Sequence, residues 1–386
     1  MKRVRVESVG DGLCAAGDCH SDYLHADCGD GGTGKTAADA LLRLRTDGWT
    51  ATVLALSHFH ADHANGFCEL YFRNSMGTPV KLDYRHVYYP KVPATPNHPD
   101  LHDKVVSAVG AASVLDMLIL AAGRWPSRKG SSLPKGSIAA VDVLGVLDVL
   151  CRRRVSRHPV CEGMGFGVGS DLVEVVWPPC DADSDLEKVM QDLVEVFDAA
   201  VLRSSVVRQV AEWVRVNGIA ARYELPAAMS LQTTHATRTL PADDLLSALG
   251  DGDSVSAEEV VEAMGKLHNE LSLAFRVEDR LLFLGDVTAH GVQHVVDRLT
   301  GPRIVSYDGC LPACQQGPDL DYKIVISPHH GTDVSWDPAF KRLCVKDWIV
   351  HSAGKRLKKR FCKEYEASFP GQNWHTHPKN PFSGPC

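Results

Sequence analysis

Ser57-His58-Phe59-His60-Ala61-Asp62-His63 places three imidazoles and a carboxylate within a six-residue window, directly after the apolar run Val53-Leu54-Ala55-Leu56. The run reads as a buried strand that continues to Ser57. Alternate residues of a strand share a face, so His58 and His60 can point the same way. Asp62 and His63 stand on the turn that follows and can face the same cavity from its other side. No packing requirement explains such a cluster. Imidazole nitrogens and a carboxylate converging at one point suit Zn²⁺, with Fe or Mn as alternatives.

Other chemistry-bearing stretches lie along the chain. Tyr23-Leu24-His25-Ala26-Asp27-Cys28-Gly29 reads as a strand ending in a carboxylate. His268 to Val277 and Leu281 to Asp286 read as a hairpin of half-buried strands, with a turn at Glu278-Asp279. Tyr322 to Ser327 is another buried strand, followed by Pro328-His329-His330-Gly331-Thr332. A late Ser352-Ala353-Gly354 follows the strand that ends near His351.

Taken together these segments resemble the metallo-β-lactamase superfamily, in which His-x-His-x-Asp-His is the central metal motif. His-His-Gly-Thr, the Asn269 to Leu273 stretch and Ser-x-Gly make the resemblance greatest to the hydrolase domain of bacterial DNA-uptake (competence) proteins. It covers residues 1–97 and about 262–376. Lys355 to Arg360 departs from it, since that subgroup has Asn and Tyr there.

The resemblance implies an α/β fold, the αββα sandwich. Residues 1–97 and 262–386 would form the hydrolase domain and 98–261 a mainly helical insertion or cap. It implies two metals: His58, His60 and His268 on one, Asp62, His63 and His329 on the other, and Asp286 bridging. Asp27 would orient the site from behind the ligands, and His330 would be free to donate a proton to a leaving oxygen. Asp62, His330 and Asp27 are thus the catalytic candidates. The implied function is hydrolysis of a phosphodiester, in nucleic acid or a nucleotide, by a hydroxide held between two Zn ions (Mn or Fe as alternatives). An acyl ester, thioester or lactone is the second reading. Many true β-lactamases carry cysteine where this chain has Asp286, which argues against antibiotic hydrolysis.

Gly29-Asp30-Gly31-Gly32-Thr33-Gly34-Lys35-Thr36 also fits a phosphate-binding P-loop. A third reading is therefore a nucleotide-binding switch with a structural metal site, and a milder one lets the loop amides hold a substrate phosphate.

Composition narrows the rest. The chain has 386 residues, 44% of them hydrophobic, and a formal net charge of −7. A duplex-wrapping protein is usually basic, so phosphate recognition here would need a local patch. Arg152-Arg153-Arg154 and Lys355 to Arg360 are the basic runs. Twelve cysteines are present. The N-terminus lacks the apolar core of a secretory signal, so a cytoplasmic protein with reduced thiols is expected, Cys14/Cys19 and Cys310/Cys314 included. No membrane association is expected, and the sequence names no protein partner.

Helices are expected at Thr36 to Leu44, Phe67 to Arg73, Val105 to Ala122, Ile138 to Arg154, Ser184 to Val216, Pro241 to Leu249 and Ala257 to Leu267. Further strands are expected at Val4 to Val9, Val80 to Tyr89 and Leu172 to Trp177, and an irregular tail from Trp374. His98, His102 and His235 are reserve metal ligands; His86, among aromatics, is expected to be a packed or surface residue.

Overall fold

Among the described residues, short apolar strands pair into two seven-stranded sheets. The computed structural model describes residues 1–121, 143–217, 254–300, 321–354, 357–376 and 381–386. The strands are β1 (Arg3–Val6), β2 (Ala15–Asp18), β3 (Tyr23–Ala26), β4 (Val53–Ala55), β5 (His86–Pro90), β6 (Ser156–Val160) and β7 (Gly165–Val168). They continue as β8 (Asp171–Trp177), β9 (Ala274–Val277), β10 (Leu281–Phe283), β11 (Asp321–Ile326), β12 (Cys344–His351), β13 (Asn373–His375) and β14 (Phe382–Pro385). The helices are α1 (Lys35–Thr46), α2 (Ala61–Ser75), α3 (Pro99–Ala121), α4 (Val143–Cys151) and α5 (Ser184–Arg203). After them come α6 (Ser205–Asn217), α7 (Ser254–Glu270), α8 (Ala289–Thr300) and α9 (Lys363–Ser368).

The first sheet runs β14-β1-β2-β3-β4-β5-β6 and the second β13-β12-β11-β10-β9-β8-β7. Each is half antiparallel and half parallel. In the first, β14 to β3 pair antiparallel and β3 to β6 parallel. In the second, β7 to β10 pair antiparallel and β10 to β13 parallel. Central parallel strands are buried on both faces, which is why β4 and β11 read as apolar runs.

The period of two separates the layers. In β10, Leu281 and Phe283 join the core between the sheets, with Phe275 and Ile324 of their own sheet and Val53 of the other. Leu282 between them faces outward and packs with Val292 and Val295 of α8 and Tyr365 of α9. On the other outer face, Leu54 and Val87 pack with Leu41, Phe67 and Leu144 of α1, α2 and α4. The layering is helix, sheet, sheet, helix. A further core, of α3, α5, α6 and α7, forms a helical bundle.

Several expectations change. Within 98–261, β6 to β8 complete both sheets, and α4 packs in the outer layer of the first. The helix expected from Ser184 to Val216 is two. Asp183 caps α5 by accepting from Leu186 N at 2.9 Å. Ser204 leaves helical geometry (φ −114°, ψ 127°), and its hydroxyl accepts from Val207 N to start α6. The tail is not irregular, because β13 and β14 join the sheets. Cys161 and Cys180 form a disulfide between the ends of β6 and β8, contrary to the expected reduced thiols. The fold brings two distant strand ends together there, which no sequence spacing announces. Cys14 and Cys19 are free thiols. The expected helix Pro241 to Leu249, residues 138–142 of the expected Ile138 helix, Cys310, Cys314, Lys355 and Arg356 lie outside the described residues. Arg153 of the arginine run donates to the carbonyls of Asp83 and Tyr84, a structural use. Among the described residues no helix is long and apolar enough to cross a membrane.

Candidate metal centre

The centre lies where β3, β4, β10 and β11 end. After β4 the chain stays extended to His60, the N-cap of α2 (φ −66°, ψ 154°). Asp62 and His63 therefore sit in the first helical turn, not on a loose turn after a strand. A carboxylate there suits the positive end of the helix dipole. The turn packs on the Asp27-Cys28-Gly29 backbone: a β-carbon at Gly29 would lie 2.3 Å from His63 N. Only glycine fits that approach.

Asp27 is fully buried and holds a left-handed conformation (φ 56°). Its Oδ1 accepts from Ser57 N, and its Oδ2 from Ser57 Oγ, both at 2.7 Å. Oδ2 also accepts from His63 Nδ1 at 2.9 Å. A carboxylate partner fixes the proton on Nδ1 and leaves Nε2 to face the cavity. His58 Nδ1 lies 3.1 Å from Ser57 Oγ and 3.5 Å from Ser272 Oγ. Ser272 Oγ also accepts from Asp286 N at 2.7 Å. His330 Nδ1 lies 2.8 Å from Ser352 Oγ.

One ligand atom from each of Asp62, His63, Asp286 and His330 lies within 4.8 Å of the others. Asp286 Oδ1 is 3.1 Å from His63 Nε2 and 3.6 Å from His330 Nε2. His330 Nε2 is 3.9 Å from Asp62 Oδ2. Three more imidazoles adjoin. The His58 ring is 4.2 Å from that of His63 and 4.4 Å from that of His60, and His60 is 5.5 Å from His268.

The donor set fits a metal. His58 Nε2 and His330 Nε2 are buried and make no hydrogen bond, and His63 Nε2 and Asp286 Oδ1 are buried 3.1 Å from each other. Buried polar atoms are ordinarily paired; a cation between His63, His330 and Asp286, whose ligand atoms lie within 4.8 Å of one another and of Asp62, would satisfy those three. Protonation agrees. Burial, with His63 and His60 beside it, holds His58 well below the ordinary histidine value. Burial and His60 bring His268 down to about 3. Burial lowers His330 too, against the pull of Asp286. Burial opposes charge on Asp286, but His63, His330 and His329 outweigh it and hold the carboxyl well below its usual range. Neutral imidazoles and an ionised carboxylate are the forms that bind metal. His63 differs: burial opposes its charge, yet Asp286 and Asp27 raise it well above the ordinary value.

His58, His60, Asp62, His63 and Asp286 thus converge, with Asp27 behind them. His268 converges as well, but from the last turn of α7 rather than the start of a strand. Val260, Val261, Met264 and Leu267 carry the helix through it, and β9 begins only at Ala274. The structure brings His330, not His329, into the four-residue group. Strand β11 ends at Ile326, and three successive positive φ angles follow at His329 (44°), His330 (60°) and Gly331 (85°). That left-handed turn tucks His330 inward and leaves the His329 side chain 20% exposed, 3.9 Å from Asp286 Oδ2. Such a reversal cannot be read from strand alternation.

His102 Nδ1 instead donates to Pro93 O at 2.9 Å, and neither it nor His98 joins the group. His235 lies outside the described residues. His86 packs beside His158 and Tyr88. Ser272 and Ser352 were missed as supports. Both stand in segments the sequence marks out, but a hydroxyl's partner becomes visible only with the fold.

The P-loop reading fails on one residue. Asp30 Oδ1 accepts from the amides of Gly32 (2.8 Å) and Gly34 (2.9 Å), and Oδ2 from those of Thr36 (2.9 Å) and Ala37 (3.2 Å). The amides that would cradle a phosphate are taken, and a negative charge occupies the cradle. This removes both the nucleotide switch and the phosphate-holding loop.

No family model matches the chain, and no curated protein does. Among solved structures it is similar to the Rm3 metallo-beta-lactamase at 12% identity, over 68% of this chain and 93% of that one, with a TM-score of 0.22. That likeness is too slight to define the fold.

Proposed function

We propose that the chain is a dinuclear metal-dependent hydrolase with the metallo-β-lactamase αββα sandwich, cleaving a phosphodiester in a nucleotide or nucleic acid. The reading is carried by the buried donor atoms of His63, His330 and Asp286, which with that of Asp62 lie within 4.8 Å of one another. Elements far apart in sequence deliver them to one point. Zinc is the first choice, since imidazole and carboxylate ligands dominate, and Mn or Fe follow.

When bound, the metals acidify water and neutralise charge that develops on the phosphoryl oxygens. The chain's own residues do the rest. Asp286 offers one oxygen toward His63 and His330 and the other toward His329, and would hold a metal beside those imidazoles. Asp27 and the hydroxyls of Ser57, Ser272 and Ser352 hold the imidazoles in place. His329, partly exposed beside Asp286, would give an N–H to a leaving oxygen, the role expected of His330. Neither a serine nor a cysteine nucleophile is needed.

The test is turnover of the zinc-loaded protein on a phosphodiester reporter and on acyl ester and thioester reporters. Phosphodiester turnover that disappears in His58→Ala is expected. A clear preference for the acyl substrates would contradict the substrate assignment and leave the metal centre standing.

A further inference from the structure

Helix α7 reaches the metal centre with two residues. Its apolar positions Ala257, Val260, Val261, Met264 and Leu267 belong to the bundle core, which fixes where the helix lies. His268 is buried, with its ring 5.5 Å from that of His60. Gly265 stands one helical turn earlier, where residues three apart are neighbours on the helix surface. A β-carbon built at Gly265 would lie 3.3 Å from His60 Nε2 and 3.8 Å from its Cε1. The α7 backbone therefore rests against the His60 ring. Glycine within a helix is less stable than alanine, yet α7 carries it at the point that meets His60.

We propose that Gly265 is a positioning residue: the missing side chain seats the His60 ring and so sets the spacing of His58, His60 and His268 toward a metal ion. The inference rests on reading those imidazoles as metal ligands. His60 has the His58 ring 4.4 Å away on one side and His268 on the other. Helix α7 cannot retreat, because its apolar residues are locked in the bundle core. A methyl group at 265 therefore moves the ring by a few tenths of an ångström. Metal–ligand distances hold to about 0.2 Å, so a shift of that size is felt by the site. The helix itself should not suffer, since alanine favours it.

The experiment compares full-length Gly265→Ala and Gly265→Val with the parent. Zn²⁺ affinity is read by chelator competition, ligand geometry by the Co²⁺ absorption spectrum, and the fold by metal-free melting and circular dichroism. Gly265→Ala should melt, metal-free, at or above the parent temperature. It should lose affinity on the order of 10–100-fold, as changes one step behind a ligand do, with an altered Co²⁺ spectrum; valine should lose more. In a His60→Ala background, Gly265→Ala should cost nothing further, because both changes act through one ring. Parent-like affinity and spectrum in Gly265→Ala would overturn the proposal. So would an equal loss with His60 already removed, which would mark a helix-packing role. A parent protein that binds neither ion would overturn this proposal and the metal reading together, an outcome distinct from both.

Discussion

Asp27 and Asp286 meet the same imidazole from opposite sides, at 2.9 Å from His63 Nδ1 and 3.1 Å from His63 Nε2. Their substitutions should therefore differ. Asp286→Asn keeps the shape but removes the charge and weakens one oxygen as a ligand. It should loosen one metal more than the other and cut turnover by orders of magnitude, with circular dichroism unchanged. Asp27→Asn acts one step behind and should cost on the order of 10–100-fold in affinity or activity. Full activity with both metals in Asp286→Asn would move the bridge to another residue. Buried histidines outside the donor set give a pH prediction. Burial lowers His25 to about 4 and His351 to about 3, from 6.5 when unfolded. The unfolded chain binds these protons first, so stability is full above about 6.5 and falls as pH drops toward 3. Urea midpoints of the metal-free protein across that window check this, and His25→Gln should flatten the slope. At this scale the sequence was readable where candidate ligands cluster locally, as in His58 to His63. It was silent where backbone handedness decides, as at His329 and His330.

Asp30 shows how one side chain settles the meaning of a loop. Its carboxylate satisfies four amides at the start of α1. Asp30→Ala should destabilise the protein by about 2 kcal/mol or more, since charge-assisted bonds at a helix start are the strong kind. Lys35→Ala should leave metal binding intact, and neither protein should bind ATP; Mg²⁺-dependent ATP binding lost in Lys35→Ala would restore the P-loop reading. Element types were legible wherever a period was sustained, as in α3, α5 and β11. Ends were less so. Ser204 splits a helix because its hydroxyl offers the next turn a cap. His268 sits on a helix because Leu267 and its apolar neighbours already bind that helix to the bundle.

Over the whole molecule, two sheets and a helical bundle meet at one set of imidazoles. The sheets were legible from their apolar runs, but the membership of β6 to β8 and β14 was not, because short strands acquire partners only through long-range pairing. His268 arrives from the bundle and the other candidate ligands from the sandwich, so a cation bound to all of them would tie the two together. Chelation should then raise hydrogen exchange in α7 and around residues 329–331 more than in β4 or β11; a uniform rise would speak against that coupling. The most direct measurement is the metal content of the purified, zinc-loaded chain by elemental mass spectrometry, with His58→Ala as the comparison. About two equivalents per chain are expected for a dinuclear site, falling in the variant. A well-folded, zinc-loaded preparation that holds none would contradict the metal centre itself.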